Sequence, residues 1–148
     1  MFDSLKHICN EVKNIQRSDV FYEVWEQEDV QEYIIKLNTE NQLFQQGIDA
    51  NNKELGGYSE FTVQLKQANG LPWDHITLYD TGEFYESFYI KSNAMGFIIE
   101  ANPIKEDTNL ITEYGKAILG LTEESKESLV NLVLDRLTYE IKRKLLDI

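Results

Sequence analysis

Apolar residues recur at helical spacing over both ends of this chain, while the middle alternates short apolar runs with Gly, Asn and Asp. That division constrains the fold more than any single motif. Leu5, Ile8, Cys9, Val12 and Ile15 recur at three- and four-residue steps, which predicts an amphipathic helix over residues 3 to 16. A second helical stretch runs from Asp19 to Gln46, with a break near Glu26 to Asp29. Val20, Val24, Val30, Ile34, Leu37 and Phe44 form its stripe, and Gly47 stops it. A final helix starts after Thr122 as N-cap, with Glu123 and Glu124 in the first turn, and continues to about Leu146. Its stripe is Leu129, Val130, Val133, Leu134, Leu137, Ile141 and Leu145.

Between the helical ends, residues 47 to 58 read as loop. Ser59 caps a short helix, "EFTVQLKQA", that ends at Asn69-Gly70. "HITL" reads as a strand, and "ESFYIKS" and "GFIIEA" as a hairpin turning at Asn93-Ala94. Both prolines, Pro72 and Pro103, fall in loops. The expected fold is α+β, with a small antiparallel sheet of about three or four strands packed against the N- and C-terminal helices. A chain of 148 residues fits a single domain, 1–148. It divides into a helical N-terminal region over 1–46, a core of loop, short helix and hairpin over 47–103, and a loop and long helix over 104–148.

The net charge of −12 argues against phosphate neutralisation, so a nucleic acid is not an expected partner. Lys142, Arg143 and Lys144 form the one basic cluster, and its place favours the negative end of the last helix dipole. No apolar run approaches the roughly 20 residues that span a bilayer, so no membrane partner is expected. The first residues carry charges throughout and no apolar core, which points to folding in a cytoplasm. The single cysteine excludes an intramolecular disulfide and a thiolate cluster. Cys9 is expected to be a buried thiol, since His7 two residues away does not face it on a helix.

Candidate chemistry centres on "HITLYDTGEFYESFYI". Asp80-Thr81-Gly82 occurs in aspartic proteases, which pair two such carboxylates, but those chains are β-rich and this one is dominated by helices. In the structural reading Asp80 or Thr81 caps a turn, Gly82 permits tight backbone, and Phe84 and Phe88 enter the core. Asp74 and His75 do not make a metal or acid–base set and read as an exposed loop pair. Glu26, Glu28, Asp29 and Glu32 lack calcium-loop spacing and read as a solvated face. Phosphate-loop, dinucleotide and nucleophile-elbow motifs are missing, so neither an enzyme nor a cofactor is expected. Aromatics make up 11% of the chain. Phe21, Tyr22 and Trp25 cluster in "VFYEVWEQ", and several of these cannot share one helix face; with Trp73 they are candidates for a protein interface, the other reading being a large aromatic core.

An ordered set of residues runs through the middle: Gly47, Asp49, Leu55, Gly56, Tyr58, Ser59, Thr62, Lys66 and Gly70, then Leu78, Asp80, Thr81, Gly82, Phe84, Ser87 and Phe88. Later, "YGKAILGLTEES" supplies a Gly-containing loop before the last helix. Over roughly residues 38 to 126 the chain resembles the virion-morphogenesis, tail-completion or minor tail proteins of tailed bacteriophages. It departs from them in its N-terminal helices and its long final helix. The resemblance implies a non-enzymatic virion structural protein of the neck or tail. It would oligomerise during head–tail joining or tail assembly, with itself and with neck, portal-adaptor or tail subunits as partners. It would reside in the virion and, before assembly, in the host cytoplasm. Two other readings stand beside it: a small acidic binding module that regulates or inhibits a host or phage protein, and a hydrolase using Asp80 and His75.

Overall fold

The structure, a computed structural model, describes residues 2–14 and 17–146. It is α+β, largely helical, with four short strands in two separate antiparallel hairpins. The N-terminal region comprises α1 (Phe2–Asn14), α2 (Arg17–Trp25) and α3 (Glu28–Lys36). The expected break falls at Glu26-Gln27. Gln27 leaves the helical region (φ −67°, ψ 128°), and Gln31 Nε2 donates to Trp25 O, capping the carbonyl end of α2. Glu28 and Asp29 then open α3 where acids suit the helix dipole.

From Leu37 to Gln46 the chain continues as a wide helix with i→i+5 bonding, which stops at left-handed Gly47 (φ 63°). Val20, Val24, Val30, Ile34 and Leu37 are buried as the stripe predicts. Phe44 is only half-buried and Leu43 takes its place in the core. The wider turn moves the inward face by about a residue, and so brings Asn38, Thr39 and Gln42 inside too.

The middle holds α4 (Glu60–Ala68) and a one-turn helix α5 (Glu83–Glu86). Strands β1 (Tyr89–Asn93) and β2 (Gly96–Glu100) form the expected hairpin, with Asn93 opposite Gly96. Phe97 and Ile99 turn inward on β2, as does Ala101 just after it, while Ile98 faces out. A second hairpin, β3 (Ile104–Lys105) and β4 (Thr108–Asn109), leads into α6 (Leu110–Tyr114), a 3-10 turn (Lys116–Ile118) and α7 (Glu123–Leu146). Buried Val24, Ile34, Leu43, Phe88, Ile99, Ile118 and Leu129 belong to one core joining the helices to the inner face of β1–β2.

Three expectations are corrected. "HITL" is not a strand: Leu78 is left-handed (φ 58°), and the backbone of Thr77 is engaged by tyrosine hydroxyls. The strands therefore make two hairpins, without a third strand joining the first. The apolar stripe of α1 does not enter the core: Leu5, Ile8, Cys9 and Val12 are all exposed, and Ile15 lies outside the described residues. On α7 only Leu129 and Val133 of the expected stripe are fully buried. Val130, Leu134 and Ile141 face solvent, because the core-facing line runs instead through Ser125, Leu129, Val133 and Glu140.

Candidate functional site

The ordered motif of the middle segment converges on Thr77, which is 1% exposed. Its N–H donates to Tyr58 Oη at 3.0 Å, its carbonyl accepts from Tyr85 Oη at 2.5 Å, and its Oγ1 accepts from the Tyr79 N–H at 3.1 Å. Burial pushes the Tyr85 phenol far above the ordinary tyrosine range, so it stays protonated and donating. The rings of Tyr79 and Tyr85 meet edge to face at 5.2 Å. Side chains distant in sequence thus replace the neighbouring strand that the 75–78 segment lacks.

Lys66 reaches this hub from α4. Ser59 starts that helix by accepting from the Thr62 N–H at 3.3 Å, and Gly70 (φ 67°) ends it. Lys66 is buried at 8% exposure; its Nζ donates to Tyr79 O and lies 5.1 Å from the centre of the Tyr58 ring. The ammonium thus lies between a carbonyl and an aromatic face.

The loop before α4 is held at two points. Asp49, 4% exposed, accepts from the N–H groups of Asn51 and Lys53 at 2.8 and 3.0 Å, which closes a tight turn. His75 faces Phe44 O with Nε2 at 2.7 Å and Asp74 with Nδ1 at 2.9 Å. It is therefore a half-buried anchor and not the exposed loop residue expected; Asp74 alone is exposed. A Cβ on Gly47 would stand 2.7 Å from His75 Cδ2 and 2.9 Å from Ile76 O, so this position combines a left-handed backbone with no room. Gly56 also has a positive φ (106°), but with open space around it.

At the Asp-Thr-Gly corner, Thr81 Oγ1 accepts from the Glu83 N–H at 3.4 Å and Gly82 adopts φ 94°. Asp80 does not cap the turn. It pairs with Lys105 of β3 at 2.9 Å. The hydrogen bond and charge of Lys105, then the charge of Lys66, hold its carboxyl below the usual carboxylate range against a small burial cost. Phe84 and Phe88 are buried with rings 5.0 Å apart, and Ser87 Oγ ties Phe84 O to the Asn102 N–H.

These groups line a cleft of about 390 Å³ between α4, the 76–80 segment, the β3–β4 hairpin and α6. Tyr58, Thr62, Lys66 and Asp80 from the motif share it with Lys105 and Tyr114. Burial, with the neighbouring Glu113 carboxylate second, pushes the Tyr114 phenol up to about 12. The cleft therefore offers two lysines, three carboxylates (Asp80, Glu106 and Glu113) and several phenols, which suits polar recognition. Asp80 and His75 point to different partners, Lys105 and Phe44 O, and do not form a shared acid–base unit. Among the described residues no group of three or more His, Cys, Asp or Glu side chains is placed to hold a metal. Glu26, Glu28, Asp29 and Glu32 are all exposed, with Asp29 paired to Arg136 of α7.

Of the aromatic candidates, Phe21 and Trp25 stack at 6.4 Å and Trp25 meets Phe97 at 5.0 Å, so these two help to seat the β1–β2 hairpin. Tyr22 and Trp73 are exposed. The basic cluster makes defined ion pairs: Arg143 with Glu140 at 2.9 Å and Lys144 with Glu23 at 2.8 Å, the latter joining α7 to α2.

Sequence reasoning missed a buried amide clamp. Asn38 donates to Ile118 O and accepts from the Gly120 N–H, both at 2.9 Å. Gln42 donates to Gly120 O at 2.8 Å and accepts from the Thr122 N–H at 3.0 Å. A pair of amides four residues apart, on the same helical side as Ile34 and Leu37 of the apolar stripe, was the available signal. Compared with known proteins, the chain matches no family model, no curated protein and no solved structure. No helix among the described residues is long and apolar enough to cross a membrane.

Proposed function

We propose that this protein is a non-enzymatic structural subunit of a tailed-phage virion, a neck or tail-completion component that works through contacts with itself and neighbouring virion proteins. The observation that carries this reading is how the motif from Gly47 to Phe88 is used. Asp49, Tyr58, Ser59, Lys66, Thr81 and Ser87 all spend their polar atoms on backbone groups of the same chain. Residues that resemble a family signature and hold backbone in shape fit an architectural role.

Exposed apolar side chains give such a subunit its contacts. Phe2, Leu5 and Val12 on α1, Phe61 on α4 and Trp73 are each about half exposed or more. Electron microscopy of particles made by a phage lacking this protein tests the reading. Unjoined heads and tails, or tails without their upper end, are expected. Fully joined, infectious particles would refute it.

A further inference from the structure

The β1–β2 hairpin has an open edge that faces a groove. Asn93 and Gly96 flank a two-residue turn and therefore form a hydrogen-bonded pair, as do Lys91 with Ile98 and Tyr89 with Glu100. Phe97 and Ile99 fall on the alternate, non-bonded positions, so their N–H and C=O groups point away from β1. No backbone or side-chain group among the described residues bonds them on that side. Ile99 is only 6% exposed, and peptide groups in so sheltered a place are costly to leave unpaired.

The groove alongside has a volume of about 550 Å³. All five residues of β2 form one wall and Leu119 and Leu121 the other, with Lys116 and Lys126 at its rim. The far wall is fixed, because the Asn38 and Gln42 amides hold the backbone from Ile118 to Thr122. Five strand residues give an edge roughly 17 Å long. The charge is also local: the chain carries −12, yet the groove's charged lining is Glu100 with Lys116 and Lys126, the latter also paired with the exposed Glu123 at 2.9 Å.

We propose that this groove receives an extended, acidic segment of another protein, added as a third strand on the free edge of β2. Its backbone bonds the open peptide groups of Phe97 and Ile99. Its alternate apolar side chains pack on Leu119 and Leu121, and its carboxylates meet Lys116 and Lys126. This inference does not depend on the virion reading, since its test uses the purified protein alone.

The test is an amide-resolved NMR titration of the full chain with the capped peptide Val-Glu-Val-Glu-Val-Glu. Shift changes are expected across 96–100 and 116–121, with slowed exchange of the Phe97 and Ile99 amides. The same peptide N-methylated at every residue, which has no N–H left to donate to a strand edge, should leave those amides unmoved. A Lys116→Glu variant changes only an exposed side chain and should weaken binding at least about tenfold. The proposal is overturned if millimolar peptide leaves β2 unmoved, if the N-methylated peptide acts equally, or if the shifts map to another surface. It is also overturned if Phe97 and Ile99 are already protected in the free protein in a concentration-dependent way, which would give the edge to a second copy.

Discussion

Replacing Asn38 by Ala removes half of the amide clamp, and the structure sets the size of the effect. Asn38 is fully buried, and both of its polar atoms bond backbone groups eighty or more positions away. The change strands Ile118 C=O and Gly120 N–H in the interior. Each such group costs about 1–3 kcal/mol when left unpaired, so two cost about 2–6 kcal/mol, and the complete burial of Asn38 puts the expected loss in the middle of that range, roughly 3–5 kcal/mol. Against a typical total of about 5–15 kcal/mol, this is a large fraction of the stability. Urea denaturation followed by far-UV circular dichroism reads it directly. With a slope of about 2 kcal/mol per molar urea, the midpoint should fall by roughly 1.5–2.5 M. Gln45→Ala on the same wide helix is the control: the side chain is exposed, and stability should hold within about 0.5 kcal/mol. A double-mutant cycle with Gln42→Ala should show strong coupling, since both amides serve Gly120. A loss below about 1 kcal/mol for Asn38→Ala would refute the claim that the clamp positions the 118–122 wall.

Gly47→Ala should cost about 1–3 kcal/mol, because it strains a left-handed backbone and drives a methyl into His75 and Ile76 O; Gly70→Ala, equally left-handed but in open space, should cost less. Thermal melts compare the two. Tyr85→Phe leaves the Thr77 carbonyl unpaired and should lower stability by about 1–3 kcal/mol in chemical denaturation. Lys105 holds the Asp80 carboxyl below its unfolded value, so the pair contributes fully above about pH 4 and is lost as pH falls through the lower folded value. Both side chains are substantially exposed, so Asp80→Asn should cost under about 1 kcal/mol at neutral pH and flatten the acid limb of a stability–pH curve. Cys9 should react with a thiol reagent in the native protein as fast as a model thiol, whereas a buried thiol would react only after unfolding.

The features of the fold legible in the sequence are those written in local chemistry. Ser59 and Thr122 announce helix starts through their hydroxyls, Gly47 and Gly82 announce corners, and the alternation in "GFIIEA" gives the inward face of β2. What the residues leave open is which partner a face meets. The stripe of α1 has the same period whether it lies on a core or faces solvent, and here it is exposed. "HITL" carries strand-like side chains, but its backbone partners are the hydroxyls of Tyr58 and Tyr85, invisible to any local pattern. The β3–β4 hairpin is only two residues a side, too short to show an alternating pattern, yet it delivers Lys105 to Asp80. The i→i+5 winding of residues 37–46 shifts the buried line from Phe44 to Leu43, a register change that apolar spacing did not encode.

The proposed role in the virion is tested most directly by quantitative mass spectrometry of purified particles. The account predicts this chain in washed virions at a fixed copy number greater than one, in constant ratio to the major tail and portal proteins. Its absence from infectious particles, with the protein recovered only from the lysate, would contradict that role.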